Sequence, residues 1–136
     1  MDKNLTIDLC NYRLSQAKDC LSVAEINLEH GFFKDAANRS YYSIFHSMRA
    51  VLALDGFDSK KHSGVISEFR KRYIKTGKFS ASFSDTIKDA FDLRTDSDYQ
   101  DFYTVSKDDV QQQLENAKEL MQAVQEFLDK SLEAIT

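Results

Sequence analysis

Apolar residues recur along this chain at alternating steps of three and four, the period of a helix with one buried face. Ile7, Cys10, Leu14, Ala17, Leu21, Ala24 and Leu28 predict a first helix that stops at Gly31, with His30 in its last turn. A second helix is predicted from about Lys34 to Asp55, ahead of Gly56. Its seam is Ala37, Tyr41, Ile44, Met48 and Val51, widened by Phe45 and Leu52. A shorter third helix, about Lys60 to Thr76, carries Val65, Ile66, Phe69 and Tyr73, with Asp58 or Ser59 as N-cap and Gly77 as stop. The fourth starts near Ser82, where Ser82 and Asp85 have capping-box spacing, and buries Phe83, Ile87 and Phe91. The fifth opens at Ser106, with Val105 and Val110 spaced as a hydrophobic staple. It continues through Leu114, Ala117, Met121, Val124 and Leu128.

Composition points the same way. A chain of 136 residues with no proline and four glycines has too few turn residues for a β-rich fold, and three of those glycines fall just past predicted helix ends. The predicted fold is all-α: an up-and-down antiparallel bundle of four long or medium helices plus a shorter fifth. It forms a single domain over residues 1–136, with its core at about 7–132. No stretch approaches the roughly 18 apolar residues of a membrane span, and the polar N-terminus lacks signal-peptide character. Cys10 and Cys20 sit about 15 Å apart on one helix, too far for a disulfide. Cys10 is expected in the core, Cys20 as a bystander, and the chain in the cytoplasm.

The net charge of −4 argues against a general nucleic-acid coat, but its distribution is uneven. Residues 1–58 hold six bases and eight acids, residues 59–84 seven bases and one acid, and residues 85–136 five bases and thirteen acids. The basic middle serves either complementarity with neighbouring helices or subunits, or a local phosphate-binding patch.

Beside the apolar seam of the second helix runs a polar stripe, Arg39, Tyr42, His46 and Arg49, on one helical face. Two guanidiniums, an imidazole and a phenol suit a phosphate or nucleotide, and equally a partner-facing or salt-bridged helix edge. The segment Leu93 to Tyr103 reads as a loop leaving the fourth helix, where Arg94 either serves a site or pairs with Asp98 to hold the loop. His62, beside Lys60 and Lys61, could meet an anion or mark an ordinary exposed helix start. Asp85, Asp89, Asp92 and Asp96 form an acidic stripe without the histidine or Glu-x-x-His pattern of a metal site. No phosphate-binding glycine loop, nucleophile elbow or Cys-x-x-Cys pair occurs. Neither a metal nor a cofactor is expected, and the motifs alone establish no enzyme.

Three runs in order carry a family likeness. They are Ala36-Ala37-Asn38-Arg39-Ser40-Tyr41-Tyr42-Ser43-Ile44-Phe45-His46, Lys61-His62-Ser63-Gly64-Val65-Ile66, and Arg94-Thr95-Asp96-Ser97-Asp98-Tyr99. From about Tyr12 to Leu128 the chain resembles the prokaryotic HEPN domain family. The resemblance implies a helical bundle that forms a homodimer, with a cleft near the dimer interface. It also implies a small nucleotidyltransferase as partner and a role in toxin–antitoxin or other defence systems, where many members are ribonuclease toxins. That implied ribonuclease motif is an arginine followed, four to six residues on, by a histidine. Arg94 stands where the arginine would be, but Asp98 and Tyr99 occupy the histidine's region. Histidine transfers protons readily near neutral pH, whereas an ordinary carboxylate or phenol does not. The departure speaks against an active enzyme.

The leading expectation is therefore a HEPN-type dimer that partners a nucleotidyltransferase and binds nucleotide or RNA. Its candidate binding residues are Arg39, Tyr42, His46, Arg49, Lys61, His62, Arg94, Asp98 and Tyr99. One alternative is a metal-independent ribonuclease toxin in which the fold brings His46 near Arg94 as the catalytic pair. The other is a purely structural helical adaptor.

Overall fold

The computed structural model describes residues 2–136, and within them the chain is helical with no strand. Helix α1 spans Lys3–Glu29, α2 Phe33–Leu52, α3 His62–Phe69, α4 Ser82–Tyr99 and α5 Lys107–Ile135. A short 3-10 turn, Ala53–Asp55, extends α2, and a π-helical turn, Arg70–Ile74, extends α3. The predicted seams are the core: Cys10, Ala17 and Ala24 of α1, Tyr41, Met48 and Val51 of α2, and Val110, Ala117 and Val124 of α5 have essentially no exposed surface. Cys10 and Cys20 are both free thiols. No helix among the described residues is long and apolar enough to cross a membrane.

The second helix is the hub and packs against α1, α3, α4 and α5. Small residues at Ala36, Ala37, Ser40, Ser43, Ser47 and Ala50 line its buried surface and let neighbouring helices approach closely. The buried serine hydroxyls donate to carbonyls of their own helix, Ser43 to Ser40 and Ser47 to Ser43, both at 2.7 Å. Crowding on one side of α2 pushes its polar stripe to the remaining side.

Several predicted boundaries need correction. The third helix is shorter at both ends. Asp58 does not cap it, because Arg13 and Arg49 engage that carboxylate, while Ser59 Oγ accepts from Lys61 N at 3.1 Å. A Cβ at Gly64 would lie 2.7 Å from Ser59 Oγ, so a larger residue there would make the Ser59 side chain move. At its far end Lys75 N donates to Arg70 O at 2.9 Å, the wider step of a π turn. The fourth helix has no Ser82–Asp85 box; Ser80 Oγ accepts from Ser82 N instead.

Of the Leu93–Tyr103 segment read as a loop, only residues 100–103 leave the helix. Helix α4 continues through Tyr99, held by the Arg94–Asp98 pair at 3.0 Å and by Ser97 Oγ donating to Leu93 O at 2.6 Å. The fifth helix begins as predicted, with Ser106 Oγ accepting from Asp109 N at 3.0 Å. Val105 and Val110 are both buried at that start.

Candidate functional site

The polar stripe of α2, the start of α3 and the end of α4 meet at one place. Tyr42 is its centre. The Arg39 guanidinium lies 4.9 Å from the Tyr42 ring and the Arg94 guanidinium 5.5 Å, within cation–π range. Arg94 Nη2 also donates to Tyr42 Oη at 3.3 Å. Asn38 couples the two cations: its Oδ1 accepts from Arg39 Nε and Nη2 at 2.9 and 2.6 Å, and its Nδ2 donates to Asp98 at 3.2 Å. Asp98 in turn pairs with Arg94. Tyr99 carries the array outward, with its ring 5.8 Å from the Arg94 guanidinium and its side chain exposed.

Two histidines border this array in different states. The His62 ring lies 4.2 Å from that of Phe45, and its Nδ1 is 2.8 Å from Tyr41 Oη, a hydrogen bond whose direction follows the imidazole tautomer. Burial, then the charges of Arg94 and Arg49, hold His62 below its ordinary pKa. His46 sits beside Tyr42 and Phe45, with a buried Nδ1 that has no hydrogen-bond partner. Burial first, and then Arg49, Arg39 and Arg13, push its pKa down to about 4. Both imidazoles are neutral at pH 7.

His46 and Arg94 flank Tyr42 without pairing directly. The histidine that feels the Arg94 charge is His62, and Arg94 also lies 5.6 Å from the Tyr41 ring to which His62 bonds. Lys61 stands at the N-cap of α3 with its side chain exposed.

Arg49 belongs to an adjoining clamp. Its Nη2 reaches Asp58 at 3.3 Å, and Arg13 Nη2 reaches the same carboxylate at 3.2 Å while Arg13 Nη1 donates to Arg49 O at 3.0 Å. Burial raises the Asp58 pKa, but the Ser59 N–H and the two guanidiniums outweigh it and hold the carboxyl below its usual range. Arg49 Nε remains buried without a partner.

Arg13, Asn38 and Tyr41 were missed as site residues. Arg13 gave one signal, a full charge next to Leu14 on the buried side of α1. Tyr41 lies on the apolar seam and reads as core; it is fully buried, with its hydroxyl turned to His62. The described residues hold no group of three His, Cys, Asp or Glu side chains able to bind a metal ion.

An all-helical bundle with these three runs on its central, third and fourth helices defines a class. Residues 10–127 match the model of the HEPN domain, and the chain belongs to that family. It is 26% identical to a UPF0332 protein of Thermotoga maritima over 89% of this chain and 92% of that protein. It is 30% identical to a UPF0332 protein of Archaeoglobus fulgidus over 92% of this chain and 99% of that one. A Methanocaldococcus jannaschii protein named "Putative toxin MJ0605" is 36% identical over 61% of this chain and 62% of its own length.

Proposed function

We propose that this chain is the HEPN component of a toxin–antitoxin or defence pair. In this reading it works as a homodimer with a small nucleotidyltransferase and binds nucleotide or RNA on the Arg39–Tyr42–Arg94 face. The observation that carries the reading is the pair of guanidiniums on one tyrosine, fixed by Asn38 and Asp98 beside buried nitrogens without partners. Fixed planar cations with donors to spare suit phosphate, and the exposed Tyr99 ring offers a base a stacking surface. A relative named as a toxin agrees with it.

Fluorescence anisotropy with a labelled single-stranded RNA tests the reading. Arg94→Ala should weaken binding by about tenfold or more at low salt. Wild-type protein that binds neither the RNA nor AMP, and recovers no nucleotidyltransferase when its genomic neighbours are co-expressed, would sink it.

One observation favours the ribonuclease alternative: His62 and Arg94 both border the Tyr41 and Tyr42 rings, and the Arg94 charge acts on the imidazole. With Nδ1 protonated and bonded to Tyr41, Nε2 accepts the 2′-hydroxyl proton, and the 2′-oxygen bonds to phosphorus as the bond from phosphorus to the 5′-oxygen breaks. The leaving oxygen takes a proton from water, and Arg94 meets the phosphate charge. This mechanism predicts EDTA-resistant RNA cleavage that His62→Ala and Arg94→Ala both abolish. Cleavage surviving both substitutions, or absent from a folded wild type, removes it.

A further inference from the structure

We propose that the cleft between α3, the π turn and α4 is a second nucleotide subsite, seating a planar base against Phe91 and a phosphate on Arg70, Lys75 and Lys88. This subsite presupposes the nucleotide-binding reading above and adds a place that no sequence motif marks.

The cleft has a volume of about 380 Å³, near the lower end of the roughly 300–1,000 Å³ typical of ligand pockets. Its floor is apolar: Ile87 is fully buried and Ile66 nearly so, and the half-buried Phe91 presents an aromatic surface. Its rim is cationic, with Arg70, Lys75 and Lys88, and no carboxylate lines it. An apolar floor under a one-sign rim suits a ligand with a flat ring and an anion.

Arg70 is positioned in advance. Its Nη2 donates to Ser84 O at 2.9 Å, tying the guanidinium to the start of α4. Its Nε is buried and has no hydrogen-bond partner. Its Nη1 has no protein acceptor among the described residues and is not sealed off, so it is the donor left to meet a phosphate oxygen in the cleft. The π turn, closed by Lys75 N on Arg70 O, brings Lys75 around to the same cleft. Ser63 and Ser67, one helical turn apart, add hydroxyl donors on the same α3 wall as Arg70.

The charge pattern of the chain supports the same ligand. Of the seven bases in residues 59–84, only Arg72 forms an ion pair among the described residues, with Asp55 and Glu68. Complementarity within the chain therefore does not account for the basic segment. Lys88 is held at 2.9 Å by Asp92, an exposed pair that a phosphate can share. Phe91 meets the Tyr41 ring edge-on at 5.9 Å, and Tyr41 bonds His62. The cleft and the Tyr42-centred site thus share the Phe91–Tyr41 wall, as neighbouring nucleotides of one strand would require.

The test is amide chemical-shift mapping of the full chain with AMP, adenosine and inorganic phosphate. Three variants accompany it: Ser67→Trp, which fills the mouth from an exposed position, Lys75→Glu at the rim, and Arg39→Ala at the other site. AMP is expected to shift amides at 63–75 and 87–91, and to keep doing so in Arg39→Ala. Ser67→Trp, with an unchanged melting temperature, should weaken this AMP binding by about tenfold or more, and Lys75→Glu by about three- to tenfold.

Adenosine and phosphate should each bind more weakly than AMP. Phosphate binding as tightly as AMP overturns the base seat, and Ser67→Trp binding AMP as well as wild type overturns the subsite. Shifts confined to 39–49 and 94–99 also overturn it while leaving the proposed function standing. Shifts nowhere overturn the subsite, and the proposed function falls with it only if RNA binding and nucleotidyltransferase recovery fail as well.

Discussion

The two sides of α2 are built from one helix and obey opposite rules. On its core side, Ile44, Met48 and Val51 are packed to exclusion, and Ser40, Ser43 and Ser47 satisfy their hydroxyls within the helix. On its polar side, Arg39, Tyr42, His46 and Arg49 are half-buried, yet His46 Nδ1 and Arg49 Nε have no partner. A packed core leaves few buried polar atoms open, because each costs about 1–3 kcal/mol. The difference separates stability from function by side chain: core substitutions should change folding without changing affinity per folded molecule, whereas on the stripe Arg39 should act on affinity and His46 on the pH dependence of stability.

The largest effect is expected from Met48→Ala. Met48 has no exposed surface, and such truncations cost about 2–5 kcal/mol through lost contacts and a residual cavity. Urea denaturation should show that loss, while RNA affinity of the folded fraction stays at the wild-type value. A change in affinity larger than the folded fraction explains would erase the division between the two sides.

His46 sharpens the comparison through pH. An unfolded imidazole titrates near 6.5, whereas burial and three arginines hold folded His46 to about 4. Between these values the unfolded chain binds the extra proton, so stability is present above about pH 6.5 and is lost as pH falls towards 4. The group contributes about 2–3 kcal/mol across that window, and His62, shifted the same way by burial and by Arg94 and Arg49, adds to the slope. Denaturation from pH 7 to 4 should be steeper for wild type than for His46→Leu. Equal slopes would mean His46 is solvated and the stripe is an ordinary surface.

How much of this was legible in the sequence follows from range. Period, caps and glycine stops are local, so the five helices and the core seams could be read directly. The α4 extension was misread because Arg94, Asp96 and Asp98 look like a polar loop until their i, i+4 pairing is counted. The π turn leaves no local signature beyond a basic run. Arg39, Tyr42, His46 and Arg49 share a face by spacing alone. That Arg94 joins them, that His62 rather than His46 answers to Arg94, and that Asn38 links Arg39 to Asp98 across 60 residues are facts of packing.

Arg13 tests a link between the two sides. It is buried on α1 and holds both the Arg49 carbonyl and the Asp58 carboxylate, anchoring the chain between α2 and α3. Arg13→Ala should cost about 1–3 kcal/mol in stability and speed amide exchange at residues 57–61. RNA binding should fall less than in Arg94→Ala, since Arg13 lies behind the stripe. A stable variant with unchanged exchange would show the clamp to be idle.

The smallest expected effect distinguishes charge from shape on the stripe itself. Arg39→Lys keeps the cation but loses the planar fork that takes Asn38 Oδ1 through two nitrogens and lies against Tyr42. Losing the bidentate fork should lower RNA affinity by about two- to fivefold, while the lost contact with Tyr42 lowers stability by at most about 0.5–1 kcal/mol. If Arg39→Lys binds as wild type does, phosphate attraction alone explains the stripe and the fixed geometry is incidental. If it falls as far as Arg39→Ala, the guanidinium plane itself is what the ligand reads, and the Asn38–Asp98–Arg94 network exists to hold that plane.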